Sequence, residues 1–265
     1  MIARVLSIAG SDPSGGAGIQ ADLKAFSAMG AYGMAALTAL TAQNTRGVFG
    51  VHEVPPAFVA AQLEAIFADV QVDAVKIGML SHPAVIEVVA AALERHQPRH
   101  VVLDPVMVAK SGDRLLREEA IDALRSRLLP LATLVTPNLP ELGALLGAAP
   151  PQTEAEMRAG GAALLALGAR AALIKGGHLP GAACVDLLVW PGGVARFAGP
   201  RIETAHTHGT GCSLSSAVAA RLGRGEGLEA AVGASVAWLR GAIAAAGALG
   251  VGGGHGPVHH FHALW

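Results

Sequence analysis

Short apolar runs alternate along the chain with longer stretches of helical period, and glycine or proline falls between them. This alternation limits the possible architectures more than any other feature of the sequence. Val5–Ala9, Val72–Ile77, Val101–Leu103, Leu134–Thr136 and Ala171–Ile174 have the length and composition of buried strands. Helical periods cover Gln20–Met29, Ala57–Ala68, Ala84–Glu94, Glu118–Leu128, Glu154–Ala166, Gly211–Leu222 and Leu228–Ala246. Strands that are apolar throughout, each followed by a helix, predict an α/β fold with a mostly parallel sheet and helices on both faces. Cys184–Trp190 and Ala195–Phe197, split by Pro191-Gly192-Gly193, predict a hairpin at one edge. No repeat, low-complexity linker or break in composition divides the 265 residues, so one domain over 1–265 is expected.

Composition narrows the function. The formal net charge is −1 and no basic stripe emerges, which argues against a nucleic-acid partner. Two cysteines without a CxxC spacing point to a reducing cytoplasm rather than a disulfide framework. Residues 1–10 lack the apolar core of a signal peptide. The apolar stretch 230–254 is interrupted by Arg240 and rich in glycine, so it reads as a helix and a loop rather than a membrane span.

In such sheets, ligands bind at the carboxyl ends of the strands. Polar residues gather at those ends here. Gly10, Ser11 and Asp12 follow the first strand, Asp104 follows Val101–Leu103, Asn138 follows Leu134–Thr136, and Lys175 follows Ala171–Ile174. Gly16-Ala17-Gly18-Ile19-Gln20-Ala21 fits a loose dinucleotide pattern. The required acidic residue about 20 positions on is missing, because no Asp or Glu lies between Leu23 and His52. No Gly-Lys-Ser/Thr follows either, which excludes a Walker A loop. What remains is a glycine-rich turn that a ligand can approach closely, or a plain strand-to-helix turn.

Thr207-His208-Gly209-Thr210-Gly211-Cys212-Ser213 opens a helix, whose free N–H groups and dipole favour an anion. In that first turn the dipole is expected to favour the Cys212 thiolate, which can take a proton from a substrate hydroxyl; a structural cysteine is the alternative. Asn138 and Glu141 stand three residues apart at a helix start, where they can face a hydrated Mg²⁺. Taken alone, a helix cap accounts for them more simply. Lys175, in Lys175-Gly176-Gly177-His178, can neutralise a transferring phosphoryl group or simply face solvent. Gln43 ends an apolar run and offers donors and an acceptor to a heterocycle, though a polar turn is the simpler reading. His255, His259, His260 and His262 crowd the C-terminus, and a metal site there is the weaker of two readings.

Eight segments in order, Ala9–Gly33, Thr38–Val48, Lys76–Leu80, Leu103–Gly112, Thr136–Glu141, Ile174–His178, Thr207–Ser215 and the His255–Leu264 tail, resemble the hydroxymethylpyrimidine/phosphomethylpyrimidine kinase family. The resemblance implies a ribokinase-like three-layer fold and two successive phosphorylations by MgATP in thiamine biosynthesis. It places Gly10, Asp22 and Gln43 around the pyrimidine, and Gly209, Thr210, Gly211 and Cys212 in an anion hole. Cys212 then stands where most ribokinase relatives carry an aspartate base. Asp104, Asn138 and Glu141 are implied for the Mg²⁺–phosphate region, partly through water, and Lys175 for the transferred group. A cytoplasmic homodimer with a small-molecule pyrimidine and ATP as its ligands is the expected form. The rivals are a sibling kinase acting on pyridoxal or the thiazole alcohol of thiamine, and a non-catalytic ligand-binding relative.

Overall fold

A computed structural model describes residues 2–107 and 118–265. Val108–Gly112 of the Leu103–Gly112 segment lie outside the described residues. The strands are β1 (Arg4–Ser11), β2 (Tyr32–Asn44), β3 (Gly47–Glu53), β4 (Ala74–Ile77), β5 (Val101–Leu103), β6 (Leu134–Val135), β7 (Ala172–Lys175), β8 (Ala183–Trp190) and β9 (Gly193–Pro200). They form a sheet of order β3-β2-β1-β4-β5-β6-β7-β8-β9. Strands β2, β1, β4, β5, β6 and β7 run parallel through its centre, and the antiparallel β3 and the β8–β9 hairpin form its edges. The helices are α1 (Gly18–Ala28), α2 (Pro56–Asp69), α3 (Pro83–His96), α4 (Glu118–Ala123), α5 (Leu139–Leu146), α6 (Glu154–Ala166), α7 (Thr210–Gly223) and α8 (Leu228–Ala244).

Two cores sandwich the sheet, giving the three layers expected. Leu6, Ile8, Val75, Ile77, Val101 and Leu103 face a core shared with α2 to α6. Val5, Ala74 and Val102 point the opposite way, into a core shared with α1, α7 and α8. The side-chain period of two explains why the central strands read as unbroken apolar runs: both of their faces are covered.

Two polar side chains share the α1/α7 face with these apolar ones. Ser7 and Lys76 are fully buried there, in register opposite each other on β1 and β4. The run from Tyr32 to Asn44 carried no strand signal, because it is rich in alanine and poor in alternation. It becomes the 13-residue β2, since pairing with β1 and β3 outweighs local propensity. The segment expected as one helix over Glu118–Leu128 is α4 followed by a π turn at Leu124–Leu128 and a 3₁₀ turn at Leu129–Leu131.

Candidate active site

The carboxyl ends of β1, β5, β6 and β7 and the start of α7 open on one cavity of about 780 Å³. Gly10, Gln43, Asp104, Asn138, Glu141, Lys175 and Gly209 to Cys212 all line it. Residues separated by two hundred positions are therefore collected into one volume by the parallel topology.

At one end stands the loop after β1, which folds around the Asp12 carboxylate. The N–H groups of Ser14 (2.9 Å), Gly16 (3.2 Å) and Ala17 (2.8 Å) and the Ser14 hydroxyl (2.7 Å) all donate to it. His208 Nε2 lies 2.7 Å from the same carboxylate. Burial alone would raise the Asp12 pKa; the hydrogen bonds from His208 and Ser14 outweigh it and hold the carboxyl below its usual range. Gln43 sits beside this loop near the end of β2. Its side-chain oxygen is 3.1 Å from the Thr41 hydroxyl, and its side-chain nitrogen is 3.4 Å from His208.

Asp22 corrects an expectation. It does not line the cavity but lies fully buried behind it. Its carboxylate accepts from Lys76 Nζ at 2.8 and 2.9 Å, from Ser7 at 2.6 Å and from Ser216 at 2.8 Å. With its oxygens so occupied, the group has little left to offer a ligand directly. Burial would lower the Lys76 pKa, but the adjacent Asp22 more than offsets this and raises it. Sequence reasoning gave Lys76 no role; the available signal was a charged residue in the middle of an apolar strand.

The centre of the cavity holds Lys175 between two carboxylates. Its Nζ is 2.9 Å from Asp104 Oδ1 and 3.8 Å from Glu141 Oε2. The hydroxyls of Thr136 (3.0 Å) and Ser215 (3.3 Å) also donate to Asp104. Burial pushes Asp104 up, yet Lys175 and Lys76 outweigh it and keep the carboxyl low. Glu141 differs: burial raises it to about 7, with Lys175 opposing and Asp104 adding to the rise. One ammonium thus balances two buried carboxylates incompletely. Asn138 and Glu141 form a capping box at the start of α5, in which the Glu141 N–H donates to Asn138 Oδ1 (2.9 Å) and the Asn138 N–H to Glu141 Oε2 (2.8 Å). The cap is therefore real, and it engages the Asn138 oxygen, while the same glutamate faces the cavity.

Helix α7 starts against this centre. Gly209, its cap, has φ +74, a conformation that suits glycine. A Cβ on Gly211 would come within 3.2 Å of Lys175 Nζ, so the bare backbone lets the turn and the lysine meet. Cys212 corrects a second expectation. Burial raises its thiol to about 11; Lys76 opposes this, while Asp22 and Asp104 add to it. Desolvation therefore outweighs the helix dipole that the sequence suggested.

Arg201 and Asp186, unmentioned by sequence reasoning, build the far wall. The Arg201 guanidinium donates to the carbonyls of Gly177, Leu179 and Gly181, bracing the loop after Lys175. Asp186 accepts from the Gly176 N–H at 3.0 Å. Of the C-terminal histidines, His259 and His260 are buried, His260 Nε2 meets the Ser213 hydroxyl at 2.8 Å, and His262 Nδ1 lies 3.1 Å from the His259 carbonyl. Among the described residues, no group of three or more His, Cys, Asp or Glu is placed to hold a metal ion.

The family model for phosphomethylpyrimidine kinase matches residues 12–259, nearly the whole chain. The chain belongs to the phosphomethylpyrimidine kinase family. It is 57% identical over 260 residues to the hydroxymethylpyrimidine/phosphomethylpyrimidine kinase of Salmonella typhimurium, covering 98% of each chain. It is 51% identical to a thiamine biosynthesis bifunctional protein of Geobacter sulfurreducens, of which it spans 52%. Among solved structures, an ADP complex of Bacillus subtilis pyridoxal kinase superposes with a TM-score of 0.91 at 37% identity over 99% of both chains. A phosphomethylpyrimidine kinase of Clostridium difficile gives 0.82 at 43% identity, covering 91% of this chain and 99% of that one. Membership of this kinase family accounts for the ribokinase-like layering and for the absence of both dinucleotide and Walker A signatures.

Proposed function

We propose that this member of the family transfers the γ-phosphoryl group of ATP to the hydroxymethyl group of 4-amino-5-hydroxymethyl-2-methylpyrimidine, and then a second group to the resulting monophosphate. The observation that carries this reading is a cavity lined both by an amide, Gln43, and by a central Lys175–Asp104 pair that meets a glycine turn. Gln43 offers one acceptor and two donors, which suits an amino group beside a ring nitrogen. Gly10 borders the space for the pyrimidine with Gln43, and the Gly209–Cys212 turn borders the space for the transferring group. Phosphoryl transfer depends chiefly on positioning and charge neutralisation, and a lysine beside a helix N-terminus supplies both.

Asp104 and Glu141 fit a divalent cation, because two buried carboxylates share one ammonium, and burial, with Asp104 adding to it, raises the glutamate to about 7 against the opposing Lys175. Mg²⁺ bound there would neutralise phosphate oxygens, with Asn138 acting through the cap that aims Glu141. The chain works as one domain in the cytoplasm, and as a homodimer through the β2–β3 edge, where Phe49, Val51 and Leu40 are exposed.

An ATP-consumption assay with the aminopyrimidine alcohol, its monophosphate, pyridoxal and the thiazole alcohol side by side tests the reading. The first two should be turned over with the highest kcat/KM. Preference for pyridoxal, the second reading that the likeness to pyridoxal kinases supports, would displace it; no turnover of any would sink both.

A further inference from the structure

One contact in the cavity joins two loops that the reaction requires to be in register. Asp12 and His208 are 196 residues apart and meet at 2.7 Å. Both are buried, at 1% and 6% exposure, so water competes little for their hydrogen bond. Each is also fixed within its own loop. Asp12 gathers the N–H groups of Ser14, Gly16 and Ala17. His208 is anchored through its backbone, whose N–H donates to the Gly256 carbonyl at 3.0 Å.

The two loops are in tight contact around this bond. A Cβ on Gly16 would run into the His208 ring, and a Cβ on Gly209 would run into the Gly16 carbonyl. The covalent neighbours of the pair are the parts assigned to chemistry. Ser11, just before Asp12, accepts the Thr41 hydroxyl at 2.8 Å, two residues from Gln43. Gly209, just after His208, caps α7 and its anion-binding turn.

The imidazole also bears on Gln43. A ring nitrogen that donates its hydrogen to the Asp12 carboxylate has no lone pair for an amide N–H. Gln43 Nε2, at 3.4 Å from that nitrogen, therefore has no acceptor in His208 and keeps its donors for a ligand. The imidazole thus acts as a wall that limits how the amide can turn.

We propose that Asp12 and His208 form a clasp of positioning residues that sets the Gln43 end of the cavity against the Gly209–Cys212 turn. In this role the pair controls how the pyrimidine's acceptor oxygen is aligned with the phosphoryl group, and it acts through its neighbours rather than by moving a proton. The inference rests on the functional reading above. Its effect falls on the pyrimidine and on turnover, while the far wall that borders the other end of the cavity lies outside its reach.

The test compares His208→Leu, which removes the donor, with His208→Gln, whose amide can still donate to Asp12. Steady-state rates are measured with the aminopyrimidine alcohol and ATP. Backbone hydrogen exchange is followed in peptides covering residues 12–18 and 207–212. His208→Leu should raise the pyrimidine KM by about tenfold or more and lower kcat, with the ATP KM essentially unmoved. His208→Gln should recover most of both, and exchange should speed up in those two peptides in the Leu variant alone. Equal rises in both KM values, wild-type kinetics for the Leu variant, or unchanged exchange in the folded variant would overturn the clasp. Should His208→Leu not fold, His208→Asn, whose shorter amide stops short of Asp12, takes its place with the same expectations. A wild-type protein inactive on the pyrimidine would refute the functional reading, and the exchange data would still decide the clasp.

Discussion

Burial raises both the Cys212 thiol and the Glu141 carboxyl above their ordinary pKa values. With its thiol raised to about 11, Cys212 is neutral at neutral pH and is a poor proton acceptor. The two phosphorylations differ in their need for one, since the second acceptor is a phosphate that is already ionised. Cys212→Ala should therefore slow both steps alike, as the loss of one wall of the anion turn. Single-turnover rates for each step check this: a loss confined to the first step would restore the general-base role. Glu141 gives a pH signature. Its pKa rises from the ordinary 4.5 to about 7 on folding, so between these values the folded chain binds more protons than the unfolded one. Stability then falls as pH rises through that window, by at most roughly 3 kcal/mol. The melting temperature of Glu141→Gln should gain on the wild type between pH 5 and pH 8, and Mg²⁺ should narrow the gap at pH 8. A gap independent of both would show that Glu141 serves the α5 cap alone.

The elements that matter most are those whose ends meet. Helix α7 supplies its cap and first turn to the cavity, Ser215 to Asp104, and Ser216 to Asp22, so its placement fixes several parts of the site together. The C-terminal tail holds that helix through His260 and Ser213. Burial, with Lys24 and His259 nearby, lowers the His260 pKa from 6.5 to about 4. Between these values the unfolded chain binds the extra proton, so stability should fall as pH is lowered from about 6.5 toward 4. His260→Gln keeps a donor for Ser213 and removes the titration. Its melting temperature should decline less than that of the wild type between pH 7 and pH 4.5; parallel declines would discard the explanation.

On the scale of the whole molecule, the nine-stranded sheet leaves an apolar margin at its β2–β3 edge. Phe49 is 71% exposed, and Leu40 and Val51 are each 45% exposed, all on the β2–β3 pair. A second copy covering this margin would bury it beside the Gln43 end of the cavity. Phe49→Asp should shift the chain from dimer to monomer in sedimentation equilibrium. A wild-type chain that sediments as a monomer at micromolar concentration would end the proposal.

The sequence by itself determined the layered α/β order. Burial on both faces writes apolar strands such as Val101–Leu103 directly into composition, and helix starts such as Asn138-Leu139-Pro140-Glu141 carry their own caps. It also marked Asp104 and Lys175, because parallel strands send their carboxyl ends to one edge, and the Gly209–Cys212 turn, because a glycine-rich helix start favours an anion. Tertiary structure alone decided three things. Pairing on both sides made a strand of the alanine-rich Tyr32–Asn44. The orientation of α1 turned Asp22 away from the cavity and onto Lys76, a lysine whose burial is tolerable only beside that carboxylate. Desolvation set the charge of Cys212 against the helix dipole. Each of these is a sum over neighbours distant in the chain, and local sequence holds no record of them.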